Sequence, residues 1–184
     1  MKKIVSLFRR DYDGDRLVID EILPGAEWVA NGEGIATRKW DGTCCKIEEG
    51  VFYKRFDAKH GKTPPEGFVP AQDPDPVTGH WPGWMKVGDG PEDRWFREGF
   101  ANSIGDKFVK FGTFELVGPK VNGNRDKFDK HILVAHGDDI IENAPRTFEG
   151  LKTFFADLEI EGIVWHHPDG RKVKIKKKDF GFKW

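Results

Sequence analysis

Cysteine is almost missing from this chain. There are two in 184 residues, Cys44 and Cys45, side by side. Adjacent cysteines rarely bridge each other, which excludes a disulfide scaffold, and two give none of the paired spacings of a structural zinc site. Long apolar runs are missing too. No stretch approaches the roughly 18 residues that a membrane helix needs. The start, "MKKIVSLFRRDYDG", is basic but holds no apolar region of signal-peptide length. A reducing, cytoplasmic setting is the expectation. Charge of one sign does not dominate, with a net of −1 and a pI near 6.6. Composition therefore does not announce a nucleic-acid binder. There is no internal repeat and no low-complexity tract.

What is present suffices for a folded domain. Hydrophobic residues make up 38% and aromatics 13%, and charged residues at 33% favour solubility. The length predicts a single domain over 1–184 with a substantial core. Charge is unevenly placed. Seven basic residues (Arg171, Lys172, Lys174, Lys176, Lys177, Lys178 and Lys183) face one acid, Asp179, over the last fourteen positions. Either a solvated basic strand or a phosphate-binding surface would have that composition.

Patterning predicts an α+β fold of mostly antiparallel strands with two or three flanking helices. "TRKWDGTCCKIEEGVFYKRFD" reads as two strands joined at Glu49-Gly50. The Pro- and Gly-rich stretch from Lys59 to Asp93 reads as a long irregular loop. "PEDRWFREGFANSI" begins a helix at Pro91. "DKFVKFGTFELVG" and "KHILVAHG" read as strands. "TFEGLKTFFADL" places Phe148, Leu151, Phe155 and Leu158 on one helical face, with Thr147 as its cap.

"EGIVWHH", "PDG" and "RKVKIKKK" form a predicted hairpin with a three-residue loop, His167 pairing with Arg171. Val164 then lies opposite Lys174 and Gly162 opposite Lys176. Alternation puts Lys172, Lys174 and Lys176 on one face, where their ammonium groups repel unless an anion sits among them. Glu161 alternates to the other face in this register. A four-residue loop or an irregular strand start would bring it to the lysines.

Five elements carry the candidate chemistry: Lys39-Trp40-Asp41-Gly42, Lys54-Arg55, Phe114-Glu115-Leu116-Val117-Gly118, Glu161-Gly162-Ile163-Val164 and Lys174-Ile175-Lys176. Each alone is weak; all in this order within one domain-sized chain are a strong signal. The order resembles the covalent nucleotidyltransferase (ATP-dependent ligase) superfamily. With "KWDGTCC", "RFDAK", "PGWMKV", "FELVGPKVNGN", "HILVAHG" and "EGIVWHHPDG", the chain is most similar to the small ATP-dependent 5′-to-3′ RNA ligase family of vertebrates, microbes and viruses. The likeness runs from about residue 36 onward.

That resemblance implies a nucleotidyltransferase (ATP-grasp-like ligase) fold. The eight residues after Lys176 leave no room for a C-terminal OB-fold. It implies an ATP-dependent RNA ligase, monomeric and using Mg2+ or Mn2+, that joins RNA 5′-phosphate and 3′-hydroxyl ends. Lys39 is the implied nucleophile that becomes lysyl-AMP, with Asp41 and Gly42 completing its motif. Thr37 and Arg38 precede it in the nucleotide site. Arg55 contacts ribose or phosphates, Glu115 the ribose hydroxyls and Val164 the adenine, and His131 lies near where the base stacks. Lys174 and Lys176 grip the α-phosphate. Glu161, and Glu115 directly or through water, would position the metal. A lysine is nucleophilic only as the free amine, which nearby cations and partial burial favour. Lys174, Lys176 and Arg38 are the expected cations. They would also stabilise charge on the transferring phosphate. Arg38 stands where relatives often carry an acid.

Other residues read as structural. His166 and His167 point to opposite strand faces and do not share an ion. Trp81, Trp84 and Trp95 read as packing rather than base-stacking platforms. Asn122-Gly123-Asn124 is a tight turn, or lines the RNA-end site. Glu48-Glu49 is the polar end of a hairpin. Two other functions share parts of this pattern. A DNA-nick ligase or capping-type transferase has the same first step, but the short C-terminus argues against capping. A non-catalytic RNA-binding module would be expected to have lost part of the set.

Overall fold

The computed structural model describes residues 1–59, 61–105 and 111–184. His60 of the expected loop and the start of the strand expected from Asp106 lie outside these. The strands in chain order are β1 (Val5–Ser6), β2 (Phe8–Arg10), β3 (Val18–Ile22), β4 (Ile35–Lys39), β5 (Thr43–Glu48), β6 (Val51–Lys59), β7 (Val69–Pro70), β8 (His80–Lys86), β9 (Phe111–Val117), β10 (Ile132–Ala135), β11 (Gly162–His166) and β12 (Lys172–Lys176). The helices are α1 (Glu27–Ala30), α2 (Arg94–Ser103) and α3 (Phe148–Asp157). The result is α+β with mostly antiparallel sheets. Among the described residues no helix is long and apolar enough to cross a membrane. The chain divides into two compact units, Met1–Lys3 with Asp41–His136, and Ile4–Trp40 with Gly137–Trp184.

The unit that contains both Ile4–Trp40 and the C-terminus is built on a four-stranded sheet, β1-β12-β11-β4, with β2 and β3 paired separately. All its pairs are antiparallel except β1 with β12. The expected hairpin forms with the expected register. The His167 N–H donates to the Arg171 carbonyl at 3.0 Å, Val164 lies opposite Lys174, and Gly162 lies opposite Lys176. Gly170 takes φ +91°, the left-handed position such a loop ends on. Along β12 Val173 and Ile175 are buried while the alternate lysines are not, as the pleat requires. Trp165, Ile163 and Ile175 join Leu151 and Phe155 of α3 and Phe8 in one core. Thr147 caps α3, its hydroxyl accepting from the Gly150 N–H at 3.2 Å. Leu158, expected on the buried face, is instead the C-cap residue and is exposed.

The other unit is one six-stranded antiparallel sheet in the order β10-β9-β5-β6-β8-β7. Glu49 and Gly50 join β5 to β6 with φ of +51° and +77°, as a tight hairpin turn needs. Cys45, Ile47, Phe114, Leu116 and Leu133 form its core, with Phe52, Trp95, Phe96 and Phe100 packed against them. The sequence between Lys59 and Asp93 is not all loop. It contains β8, whose seven residues all pair with β6. Pro82 and Gly83 hid this strand, because both normally interrupt one. Here Gly83 makes room for Phe68, since a Cβ would lie 2.2 Å from that ring. Trp84 is buried and Trp81 donates its indole N–H to the Gln72 carbonyl at 2.8 Å, so both are packing residues.

Candidate functional site

Strand pairing in the four-stranded sheet lays down two rows. Lys39, Gly162 and Lys176 are direct neighbours across β4, β11 and β12, and Thr37, Val164 and Lys174 form the next row. A side chain at Gly162 would stand between the two lysines of its row. It is also excluded by the backbone, because a Cβ there would lie 2.3 Å from the Ile175 carbonyl oxygen.

Glu161 resolves the ambiguity left by the sequence. The loop holds three residues, and it is the strand start that is irregular. Regular pairing begins at Gly162, while the Glu161 carbonyl accepts from the Lys177 N–H at 2.8 Å. The carboxylate therefore reaches the lysine face. Its Oε2 lies 2.5 Å from Lys39 Nζ and its Oε1 lies 3.0 Å from Lys176 Nζ. One buried acid thus bridges two lysines that are themselves about one-fifth exposed. Among the described residues Lys174, in the row beside them, has no such partner. Burial first, then the Lys176 and Lys39 cations, push its pKa down to about 8, while Asp179 and Glu161 pull the other way. The cluster carries more positive charge than its acids neutralise, which favours an anion.

Neighbouring groups fix this cluster in place. Asp179 accepts from the Lys176 N–H at 2.9 Å and pairs with Arg10. Lys177, one of the basic residues of the last fourteen positions, is buried and donates to the Leu158 carbonyl and Glu159. Thr37 is buried, its hydroxyl 3.2 Å from the Val164 carbonyl and 3.0 Å from His166 Nε2. Arg38 is on the opposite face from Lys39 by strand alternation, with its guanidinium 3.9 Å over the Trp40 ring. It is not among the cations around Lys39. His167 pairs with Glu33 and Asp169, so the adjacent histidines do serve separate partners.

The six-stranded sheet holds the remaining candidates. Gly42 crosses the end of β9 closely, and a Cβ there would lie 2.2 Å from the Leu116 carbonyl oxygen and 2.6 Å from Glu115 Cγ. The turn at Asp41 is held by residues that sequence reasoning did not assign to it. Arg125 pairs with Asp41 at 2.9 Å, Asn122 donates to the Asp41 carboxylate and the Gly42 carbonyl, and Asp126 accepts from the Asp41 N–H. Asn122, Gly123 and Asn124 all have positive φ, the tight turn expected there.

Glu115 is nearly buried and faces Cys44 across β5 and β9, and its Oε2 lies 2.9 Å from His136 Nε2. Arg55 donates to the Met1 carbonyl at 2.7 Å and lies 4.9 Å over the Trp84 ring. Burial lowers its pKa.

His131 sits differently from expectation. It is buried on the core side, stacked on Trp95 at 4.4 Å, with Nδ1 2.9 Å from Glu98 and Nε2 accepting from the Lys120 N–H. Strand alternation explains this. Val134 lies opposite Glu115, so position 136 shares the Glu115 face, whereas 131 and 133 face the core. That parity was available in "HILVAHG" and points to His136.

Comparison with known proteins finds similarity to one family. The RNA ligase 1 family model matches residues 104–184, which include Glu115, Glu161, Lys174 and Lys176 but not Lys39. RNA ligase 1 of Pongo abelii is 26% identical over 227 aligned residues, covering 82% of this chain and 68% of that protein. The Mus musculus protein of the same name is 26% identical over 223, with the same coverage. That of Danio rerio is 40% identical over 81 residues, covering 39% of this chain and 25% of its own length.

Proposed function

From its relation to the RNA ligase 1 family we propose that this chain is an ATP-dependent RNA ligase with a nucleotidyltransferase fold, acting as a monomer through lysyl-AMP on Lys39. The observation that carries the reading is the Glu161 carboxylate bridging Lys39 and Lys176, with the under-neutralised Lys174 in the adjoining row. In the first step Lys39 Nζ, as the free amine, attacks the α-phosphorus of ATP. An N–P bond forms, the bond to the bridging oxygen breaks and pyrophosphate leaves. Glu161, 2.5 Å from Nζ, is placed to take the proton. Lys174 and Lys176 hold the phosphate oxygens as their charge grows. An oxygen of an RNA 5′-phosphate then displaces Lys39 from the AMP phosphorus. Finally an RNA 3′-hydroxyl attacks that 5′-phosphate, closing the phosphodiester and releasing AMP.

Glu115 and Arg55 are assigned to the nucleoside and phosphate contacts. Magnesium or manganese, when bound, would offset phosphate charge, and Glu161 offers the oxygen donors such ions take. Both Glu161 oxygens already face ammonium groups, so contact through water suits it better than direct ligation. A reducing, cytoplasmic setting is part of the same reading, resting on the scarcity of cysteine.

Incubation with α-labelled ATP and magnesium should leave label on denatured protein, and Lys39→Ala should abolish it. Label from GTP alone would make the chain a capping-type transferase, and no label from either nucleotide would make it a binding module. Adenylylated protein offered 5′-phosphorylated RNA and DNA should join RNA in preference.

A further inference from the structure

Two cysteines without zinc spacing gave no reason to look for a soft-metal site, yet the sheet assembles one. Cys44 of β5, Glu115 of β9 and His136 just after β10 come from three adjacent strands. Each offers one ligand atom, and the three atoms lie within 4.8 Å of one another. The pairing that places them is the regular ladder. Cys44 is directly opposite Glu115, and the His136 N–H donates to the Thr113 carbonyl at 3.0 Å, which puts its ring diagonal to Glu115 on the same face. Among the described residues it is the single group of three or more His, Cys, Asp or Glu side chains that converge so closely.

We propose that Cys44, Glu115 and His136 form a binding site for a thiophilic divalent cation of the zinc class. One sulfur, one nitrogen and one carboxylate oxygen are the ligand types zinc takes, and three protein ligands leave a position open. Hard ions such as magnesium gain little from a thiolate, so the site selects against them. Bonds of about 2.0–2.3 Å to a shared ion place ligand atoms roughly 3–4 Å apart, so atoms already within 4.8 Å of one another need only small side-chain shifts. The His136 ring fits the role. One nitrogen is directed at Glu115 at 2.9 Å, and Nδ1 is buried with no hydrogen-bond partner among the described residues. The other sulfur is excluded. Cys45 is fully buried in the core, its Sγ 3.5 Å from the Phe114 carbonyl oxygen, and burial pushes its pKa far up. Arg55 is a positive group that interacts electrostatically with Cys44. A guanidinium there favours the thiolate a metal needs. On binding, the ion displaces the Cys44 thiol proton, which passes to solvent, while His136 ligates as the neutral imidazole with its N–H on the nitrogen that faces away from the ion. If Glu115 also holds a nucleotide ribose, as the ligase reading has it, the cation and the nucleotide compete for one carboxylate.

Cobalt(II) serves as the visible probe, added to the full chain without nucleotide. One equivalent should produce a sulfur-to-cobalt charge-transfer band, which one equivalent of zinc erases and millimolar magnesium does not. Cys44→Ser should remove the band. His136→Asn should weaken cobalt binding by at least about 10- to 100-fold, the loss seen when even a group that only orients a ligand is removed. Cys45→Ala should keep the band. Absence of a band in the unsubstituted protein, its persistence in Cys44→Ser, its loss in Cys45→Ala, or its displacement by magnesium would each overturn the site. None of these readouts needs ligase activity, so failure here is distinct from failure of the ligase reading.

Discussion

Lys39 and Lys174 are both lysines of one sheet face, but their surroundings give them different work. Lys39 is engaged by a carboxylate, and Lys174 is surrounded by cations and half hidden from water. The pKa of Lys174 falls from 10.5 to about 8, with burial as the largest cause. Between those values the unfolded chain binds more protons than the folded one, so this residue's contribution to stability rises with pH through that window. Below pH 8 the folded protein bears the full cost of a charged, partly buried ammonium. Lys174→Met is therefore expected to be more stable than the unsubstituted protein at pH 7, by on the order of 1 kcal/mol or more. The difference should shrink steadily from pH 8 to about 10.5. Denaturant unfolding of both proteins across that range measures it. Lys176→Ala is expected to cut lysyl-AMP formation about 100-fold, the size seen when one donor to a developing negative charge is removed. The rate of label incorporation at saturating ATP checks this.

At the scale of elements, two glycines decide whether the strands can bring these side chains together. Gly162 lies between Lys39 and Lys176 with β12 pressed against it. Gly162→Ala is expected to part β11 from β12, lengthen the Glu161–Lys176 contact and slow adenylylation at least 10-fold, with a fold that circular dichroism still reports as intact. Gly42 runs against β9, and Gly42→Ala would press on Glu115 itself. Its expected cost is about 1–3 kcal/mol by overpacking, read from the shift of a urea transition. Much at this scale was legible. The hairpin register followed from "PDG" and the alternation of Val and Ile with Lys, because a short turn and a period of two leave little freedom. The cap at Thr147 followed from its place before an amphipathic run. β8 was not legible, because Pro82 and Gly83 signal interruption. What overrides them is full pairing with β6 and the packing of Phe68 against Gly83.

Across the whole molecule, charge is near balance while one sheet face is basic. RNA affinity is accordingly expected to fall as salt rises. Substituting both Lys172 and Lys174 with Ala should flatten the slope of log K against log salt by about 1.4, since each single-strand phosphate neutralised by a lysine adds roughly 0.7 to it. Filter binding of a 5′-phosphorylated single strand from 50 to 200 mM salt tests it. No such flattening would place the RNA elsewhere on the protein.

By itself the sequence determined which residues belong to the candidate chemistry on the four-stranded sheet. It also determined the register of β11 against β12, because hairpin geometry and strand periodicity are local rules. The tertiary structure decided what those residues do to one another. It turned Glu161 toward the lysines through an irregular strand start and drew Lys177 away to Glu159. It also brought His136 and Cys44 together at Glu115. Those outcomes depend on contacts between residues far apart in sequence, 122 positions from Lys39 to Glu161 and 92 from Cys44 to His136, and no local spacing encodes such contacts.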